Sequence, residues 1–266
     1  MIRGAVLGSP ITHSLSPRLH RAAFGYLGVE ASYEAIDVPA GSLESFIKAR
    51  GAEFDYFSLT MPLKEEVLKL PTHADPLLAK IQSANTLWKE NGGWSLTSTD
   101  GSGFLAALSY ADLHDFNRVL ILGAGGTARA LAGAMDGKAK EIHILGRSSV
   151  RAPALKSAVT TSEFEYLAWN SGADFSLYDL VINTTPAGAA DLLADSLDVG
   201  IETVFFDVIY KPWPTVLAAA WRDSGGRVIN GLELLLYQGI DQMEIVLGKS
   251  LDRVNLASHL RPLLRK

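Results

Sequence analysis

The chain contains no cysteine, which removes disulfides, thiolate metal sites and a cysteine nucleophile from consideration. It also lacks any run of about 18 apolar residues that could span a bilayer. Its start, Met1-Ile-Arg-Gly-Ala-Val-Leu-Gly, enters a strand pattern at once and lacks the long apolar core of a signal peptide, so a cytoplasmic location is expected. Cationic excess is missing too: 24 Lys and Arg stand against 29 Asp and Glu, a net charge of −5, with neither a basic stripe for nucleic acid nor a polybasic patch for a membrane. The six histidines, at 13, 20, 73, 114, 143 and 259, show no paired ligand spacing, and no metal is expected. The small basic cluster Arg261…Arg265-Lys266 reads as the cationic end of a last helix.

What is present fits a small-molecule enzyme. A chain of 266 residues suggests two domains, and strand and helix patterns alternate throughout, which predicts an α/β fold with parallel sheets. Strands are expected at Arg3–Leu7, Ser32–Asp37 and Tyr56–Met61, with a hairpin of Ala84–Lys89 and Trp94–Thr97 joined by Glu90-Asn-Gly-Gly93. A second set of strands is expected at 141–146, 179–183 and 203–207, with helices between them. Helices are expected from Pro17 to about Leu27, near Leu43–Ala49, after Pro62, from about Gly101 to Ala111, and over Gly231–Leu247, the last placed to return to the first domain. The aromatics Trp88, Trp94, Trp169 and Trp213 read as core or rim packing.

The most informative stretch is Arg118-Val-Leu-Ile-Leu-Gly-Ala-Gly-Gly-Thr-Ala-Arg129, an apolar strand that breaks into glycines and then a helix over 127–136. It is a GxGxxA variant of the dinucleotide fingerprint. Gly123 permits the tight turn, Ala124, Gly125, Gly126 and Thr127 present backbone to a pyrophosphate, and Ala128 takes the small slot for close helix–strand packing. The second strand of this unit ends in Gly146-Arg147-Ser148-Ser149-Val150-Arg151 with no carboxylate for a ribose hydroxyl. Arg147, Arg151 and Ser148 there suit a 2′-phosphate, so NADP(H) is expected over NAD(H).

Three earlier segments place polar groups where strands and loops end. Ser14 and Ser16 precede a helix whose first position is Pro17; Ser16 is expected as its N-cap, and the spare hydroxyls and N–H groups form a carboxylate receptor. Lys64 lies just inside the helix after Pro62, the unfavourable end for a cation, which invites a functional role. Ser83-Ala-Asn85-Thr86 and Thr97-Ser-Thr99-Asp100-Gly101 supply an amide and a carboxylate.

Together these blocks resemble the shikimate dehydrogenase family over nearly the whole chain: GSPITHSLSP (8–17), TMPLK (60–64), SANT (83–86), STDG (98–101), GAGGTAR (123–129), INTTPAG (182–188), FDVIYKPWPT (206–215) and NGLELLLYQ (230–238). The resemblance implies an N-terminal α/β substrate domain of residues 1–101 and 238–266, and an NADP-binding, Rossmann-type doubly wound parallel sheet of residues 102–237. It implies NADPH-dependent, reversible reduction of 3-dehydroshikimate to shikimate by a monomer or homodimer. Lys64 and Asp100 are the implied catalytic pair, Ser14 and Ser16 hold the substrate carboxylate, Thr60, Asn85 and Gln238 bind its ring hydroxyls, and Tyr210 lies near the carboxylate. Thr184 and Gly231 join the implied cofactor-binding residues.

The chain departs from the usual family pattern at Ser58 and Ser98, where Asn is usual, at Gly146, where Asn usually precedes the arginine, and at Thr184, where Ala is usual. Within the family the alternatives are a quinate-accepting or aminoshikimate-type relative. Outside it stand a folate-type methylene dehydrogenase, against which the Ser14/Ser16 and STDG blocks argue, and a dinucleotide-sensing module without catalysis, which would lose Lys64 or Asp100.

Overall fold

The computed structural model describes residues 1–171, 174–197 and 202–265, which divide into two compact units, Met1–Gly103 with Leu235 onward, and Phe104–Leu234. Lys266, at the end of the predicted basic cluster, lies outside the described residues.

The first unit is built on a mixed sheet of β1 (Ile2–Gly8), β2 (Ala31–Asp37), β3 (Tyr56–Leu59), β4 (His73–Ala74), β5 (Thr86–Glu90) and β6 (Gly93–Thr97), in the order β2-β1-β3-β5-β6-β4. Strands β1, β2 and β3 pair in parallel, whereas β5 pairs antiparallel with β3 and β6. The β5–β6 connection is tighter than expected. Only Asn91 and Gly92 lie outside the strands, at φ 50° and 79°, the two left-handed positions that an Asn-Gly hairpin turn supplies. Helices α1 (Ser16–Tyr26), α2 (Leu43–Arg50), α3 (Leu63–Glu66), α4 (Leu77–Ile81) and α5 (Asp100–Tyr110) connect and follow these strands. β4 is a two-residue strand that the sequence pattern did not predict. Ser16 is not the N-cap of α1: Leu15 holds that place, and the Ser14 hydroxyl accepts the N–H of Ser16 at 3.3 Å. The dipole argument for Lys64 also lapses, because α3 is a single turn that runs on into a 3-10 turn and sums few peptide dipoles.

The second unit carries β7 (Phe116–Leu122), α6 (Gly126–Met135), β8 (Ala139–Gly146), α7 (Ala152–Ala158), β9 (Glu163–Ala168), β10 (Leu180–Asn183), β11 (Val204–Asp207), α8 (Val216–Asp223) and β12 (Val228–Ile229). Every pairing in its sheet is parallel, and the order β12-β11-β10-β7-β8-β9 reverses between β7 and β10, the doubly wound arrangement. Residues Val119–Leu122 and Leu180–Asn183 are buried throughout, as strands covered on both faces require. Strands β9 and β12 escaped the sequence reading: β9 is half polar and alternates weakly, and β12 has two residues. The largest buried side chain is Trp221, stacked on Phe205 at 4.7 Å with its indole N–H donated to Thr203 O.

Helix α9 (Gly231–Leu247) begins in the second unit and from Leu235 belongs to the first, and α10 (Arg253–Leu264) follows it. Its residues Gln238, Asp241 and Gln242 bond to Asn85, Ser102 and Ser58 of the first unit. Gly103 is required where α5 meets α9, since a Cβ there would stand 2.5 Å from the Gln238 backbone nitrogen.

Candidate active site

In the first unit the side chains meet at the ends of β3, β5 and β6. Thr60 follows β3 and anchors the next turn, taking Leu7 O with its N–H and offering its carbonyl to Leu63 N–H. That turn presents Lys64 on α3, and Lys64 Nζ donates to Asp100 Oδ2 at 2.5 Å. Both side chains are largely out of water, 16% and 5% exposed, so the pair is screened far less than a surface ion pair. Asp100 opens α5, where a carboxylate is favoured by the helix dipole.

Asn85 is the organiser of this cluster. It is 2% exposed, and its Nδ2 donates toward Asp100 Oδ1 at 2.9 Å, Thr99 Oγ1 at 3.0 Å and Gln238 Oε1 at 3.2 Å. Its Oδ1 accepts from Thr99 N–H and from Thr86 Oγ1, both at 2.8 Å. One amide therefore fixes the unoccupied oxygen of Asp100 and ties the β5 end to α9. Gln238 completes its own bonding by donating Nε2 to Leu235 O. Ser14 is half-buried and Ser16 is buried at the start of α1.

A second buried chain of hydrogen bonds supports this cluster, and the sequence reading missed it. Tyr33 Oη donates to Ser58 Oγ at 2.5 Å, Ser58 donates to Gln242 Oε1 at 2.7 Å, and Gln242 Nε2 donates to Thr86 Oγ1 and Asn85 O at 2.9 and 3.1 Å. Ser58 thus serves a buried relay rather than a free surface. Burial pushes the Tyr33 and Tyr56 hydroxyls well above their ordinary titration range. Burial also lowers His20 to about 3, partly opposed by the Gln242 side chain; its ring stacks on Tyr33 at 4.1 Å and its Nδ1 pairs with Tyr56 Oη at 2.8 Å. The signal available in sequence was a set of polar residues, Gln238, Asp241 and Gln242, inside a mostly apolar helix. The hydroxyls of Ser83 and Ser98, two residues before Asn85 and Asp100, are buried without a hydrogen bond.

The second unit assembles a cradle at the carboxyl ends of its strands. Gly123 follows β7 at φ 104°, a conformation glycine alone adopts readily, and a Cβ there would lie 2.7 Å from Thr184 Oγ1. Gly125 caps α6, and nothing lies within 4 Å of where its Cβ would be, so a ligand can approach the backbone there. Ala128 is fully buried against the sheet. The start of α6, with Ala124, Gly126 and Thr127, offers backbone N–H groups at the positive end of a helix dipole, which suit a pyrophosphate, and these residues fit a dinucleotide. Thr184 turns its hydroxyl to Leu122 O at 2.7 Å. Arg147, Ser148 and Arg151 are exposed on the loop after β8, and Arg151 Nη1 donates to Ala124 O at 3.3 Å, tying that loop to the glycine turn.

Two buried polar residues within the quoted motifs hold the neighbouring loops. Asn183 donates Nδ2 to Asp207 Oδ1 at 3.1 Å and accepts from Thr185, while Asp207 accepts from Ile209 N–H and from Thr215 Oγ1, the N-cap of α8. Burial raises the Asp207 carboxyl above the usual range, against the pull of those donors. Gly231 lies against Val208, whose carbonyl oxygen would be 2.0 Å from an added Cβ. Gly231 and Tyr210, the latter half-buried after β11, belong to the second unit. Among the described residues no group of three or more His, Asp or Glu could hold a metal, and no helix is long and apolar enough to cross a membrane.

Comparison with known proteins identifies the family. The profile of the shikimate dehydrogenase substrate binding domain matches residues 6–87. Shikimate dehydrogenase (NADP(+)) of Microcystis aeruginosa is 34% identical over 266 residues, spanning 92% of this chain and 91% of its own. The crystal structure of the Mycobacterium tuberculosis shikimate dehydrogenase superposes with a TM-score of 0.87 at 34% identity, covering 98% of this chain and all of that one at 100%. The Thermus thermophilus shikimate 5-dehydrogenase, solved in complex with NADP(H) and shikimate, matches with a TM-score of 0.81 at 29% identity over 99% of this chain and 100% of that one. The chain therefore belongs to the shikimate dehydrogenase family.

Proposed function

We propose that the chain catalyses the reversible reduction of 3-dehydroshikimate to shikimate with NADPH, its first unit binding the substrate and its second the dinucleotide, and that it works in the cytoplasm as a monomer or homodimer. The observation that carries this reading is the Lys64–Asp100 pair, 2.5 Å apart and mostly withdrawn from water, with Asn85 holding the other carboxylate oxygen. NADPH, when bound, supplies the hydride that adds to the carbonyl carbon. The Lys64 ammonium stabilises the charge that gathers on the ketone oxygen as the carbonyl pair shifts onto it, and gives that oxygen a proton from Nζ. Water then returns a proton to the neutral amine. Asp100 keeps Nζ oriented through this exchange, and Asn85 stops the carboxylate from rotating away. Ser14 and Ser16 receive the substrate carboxylate, with Tyr210 as a further contact, and Thr60, Asn85 and Gln238 pair with its hydroxyls. Gly123–Ala128, Thr184 and Gly231 bind the dinucleotide, and Arg147, Ser148 and Arg151 its 2′-phosphate.

Substitution of the proton donor tests this reading. Lys64→Ala is expected to lower kcat by at least ~10²-fold, the scale of a lost general acid, with a much smaller change in KM for shikimate. Near-normal turnover by the folded variant would overturn it.

A further inference from the structure

The loop that follows β8 is held from the neighbouring strand by one side chain. Tyr166, on β9, donates its hydroxyl to Ser148 O at 2.6 Å. The same carbonyl accepts the N–H of Arg151 at 3.3 Å and so closes the 3-10 turn Ser149–Arg151. Because the peptide is trans and planar, fixing the Ser148 carbonyl also fixes the Ser149 N–H in the opposite direction. The tyrosine reaches this carbonyl by passing over Gly146: a Cβ at that position would stand 2.1 Å from the Tyr166 hydroxyl and 2.7 Å from the ring carbon that bears it. Glycine at 146 and tyrosine at 166 are therefore a matched pair, one vacating the space the other fills. Burial raises the Tyr166 hydroxyl above its ordinary range, while its bond to Ser148 and the nearby Arg151 guanidinium act in the other direction, so at neutral pH the group is a donor.

We propose that Tyr166 is the positioning residue for 2′-phosphate recognition, setting the loop that carries Arg147, Ser148 and Arg151, with Gly146 as its obligatory partner. The inference rests on the cofactor reading above and adds a determinant outside the residues assigned to it. Tyr166 does not contact the phosphate; it acts through the Ser148 peptide. Its loss disorders the arginine-bearing loop while leaving the glycine turn at 123–126, where a pyrophosphate sits, intact.

Calorimetric titration with NADP+, NAD+, 2′,5′-ADP and 5′-AMP tests it without reference to turnover. In Tyr166→Phe, which keeps the ring and removes one hydrogen bond, NADP+ and 2′,5′-ADP are expected to weaken about fivefold, and NAD+ and 5′-AMP by less than about twofold. Gly146→Ala is expected to weaken the same two 2′-phosphorylated ligands, and to add less than about twofold when built on Tyr166→Ala, since the ring it would strike is gone. Equal losses for all four ligands, no loss in Tyr166→Phe, or full additivity of the Gly146 change would overturn the proposal while leaving the cofactor reading in place. A wild-type protein that binds NADP+ no better than NAD+ would overturn both.

Discussion

At the scale of single residues, Lys64 and Asp100 do the chemistry in this account, but their geometry depends on neighbours with no chemistry of their own. Ser58 is the clearest case. Its hydroxyl accepts from Tyr33 and donates to Gln242, and all three groups are buried. Ser58 is a departure from the usual family pattern, and in the structure it fills a bonding position of its own. Ser58→Ala leaves a buried phenol and a buried amide oxygen unpaired, and should lower unfolding free energy by roughly 1–3 kcal/mol in urea titrations. A variant as stable as the parent would mean that water replaces the hydroxyl at no cost.

At the scale of elements, the contact between α5 and α9 sets the site. Gly103→Ala would press a methyl group against the backbone of Gln238, which cannot swing aside as a side chain can. Overpacking of this kind costs typically 1–3 kcal/mol, and it should also raise KM for shikimate by displacing Gln238 from Asn85. Unchanged stability and KM would show that the two helices separate freely. Most of these elements were readable from the chain. Helix Gly231–Leu247 and strand β7 announced themselves by long apolar patterns, and Asn91-Gly92 by turn chemistry. Strand β9 did not, because its stability comes from the parallel ladder with β8 rather than from its own half-polar sequence. The relay Tyr33–Ser58–Gln242 was illegible for a related reason. Ser58 and Gln242 lie 184 residues apart, and only the sheet and α9 together bring the three into one row. Lys64 and Asp100 stood out through their motifs, Lys64 also through a helix-dipole argument that the short α3 does not support; the 2.5 Å approach between them is a product of the fold.

At the scale of the whole molecule, burial of His20 links folding to pH. The folded protein holds this ring neutral down to about 3, whereas the unfolded chain takes up the proton near 6.5. Stability from this group is therefore complete above 6.5 and is lost as pH falls toward 3. Between pH 7 and pH 5 the loss is about 2 kcal/mol, and it should be absent from the same comparison made on His20→Asn. A parallel pH slope in the variant would assign acid sensitivity to the carboxylates instead.

Quinate carries an extra hydroxyl on a tetrahedral carbon beside its carboxylate, and burying that group without a partner costs about 1–3 kcal/mol. Initial rates in the oxidative direction at alkaline pH, with shikimate and quinate each paired with NADP+ and NAD+, measure the consequence in one experiment. Shikimate with NADP+ is expected to give a kcat/KM at least about tenfold above quinate with either cofactor, tenfold being about 1.4 kcal/mol. Quinate as the better substrate, or no turnover of either despite NADP+ binding, would contradict it.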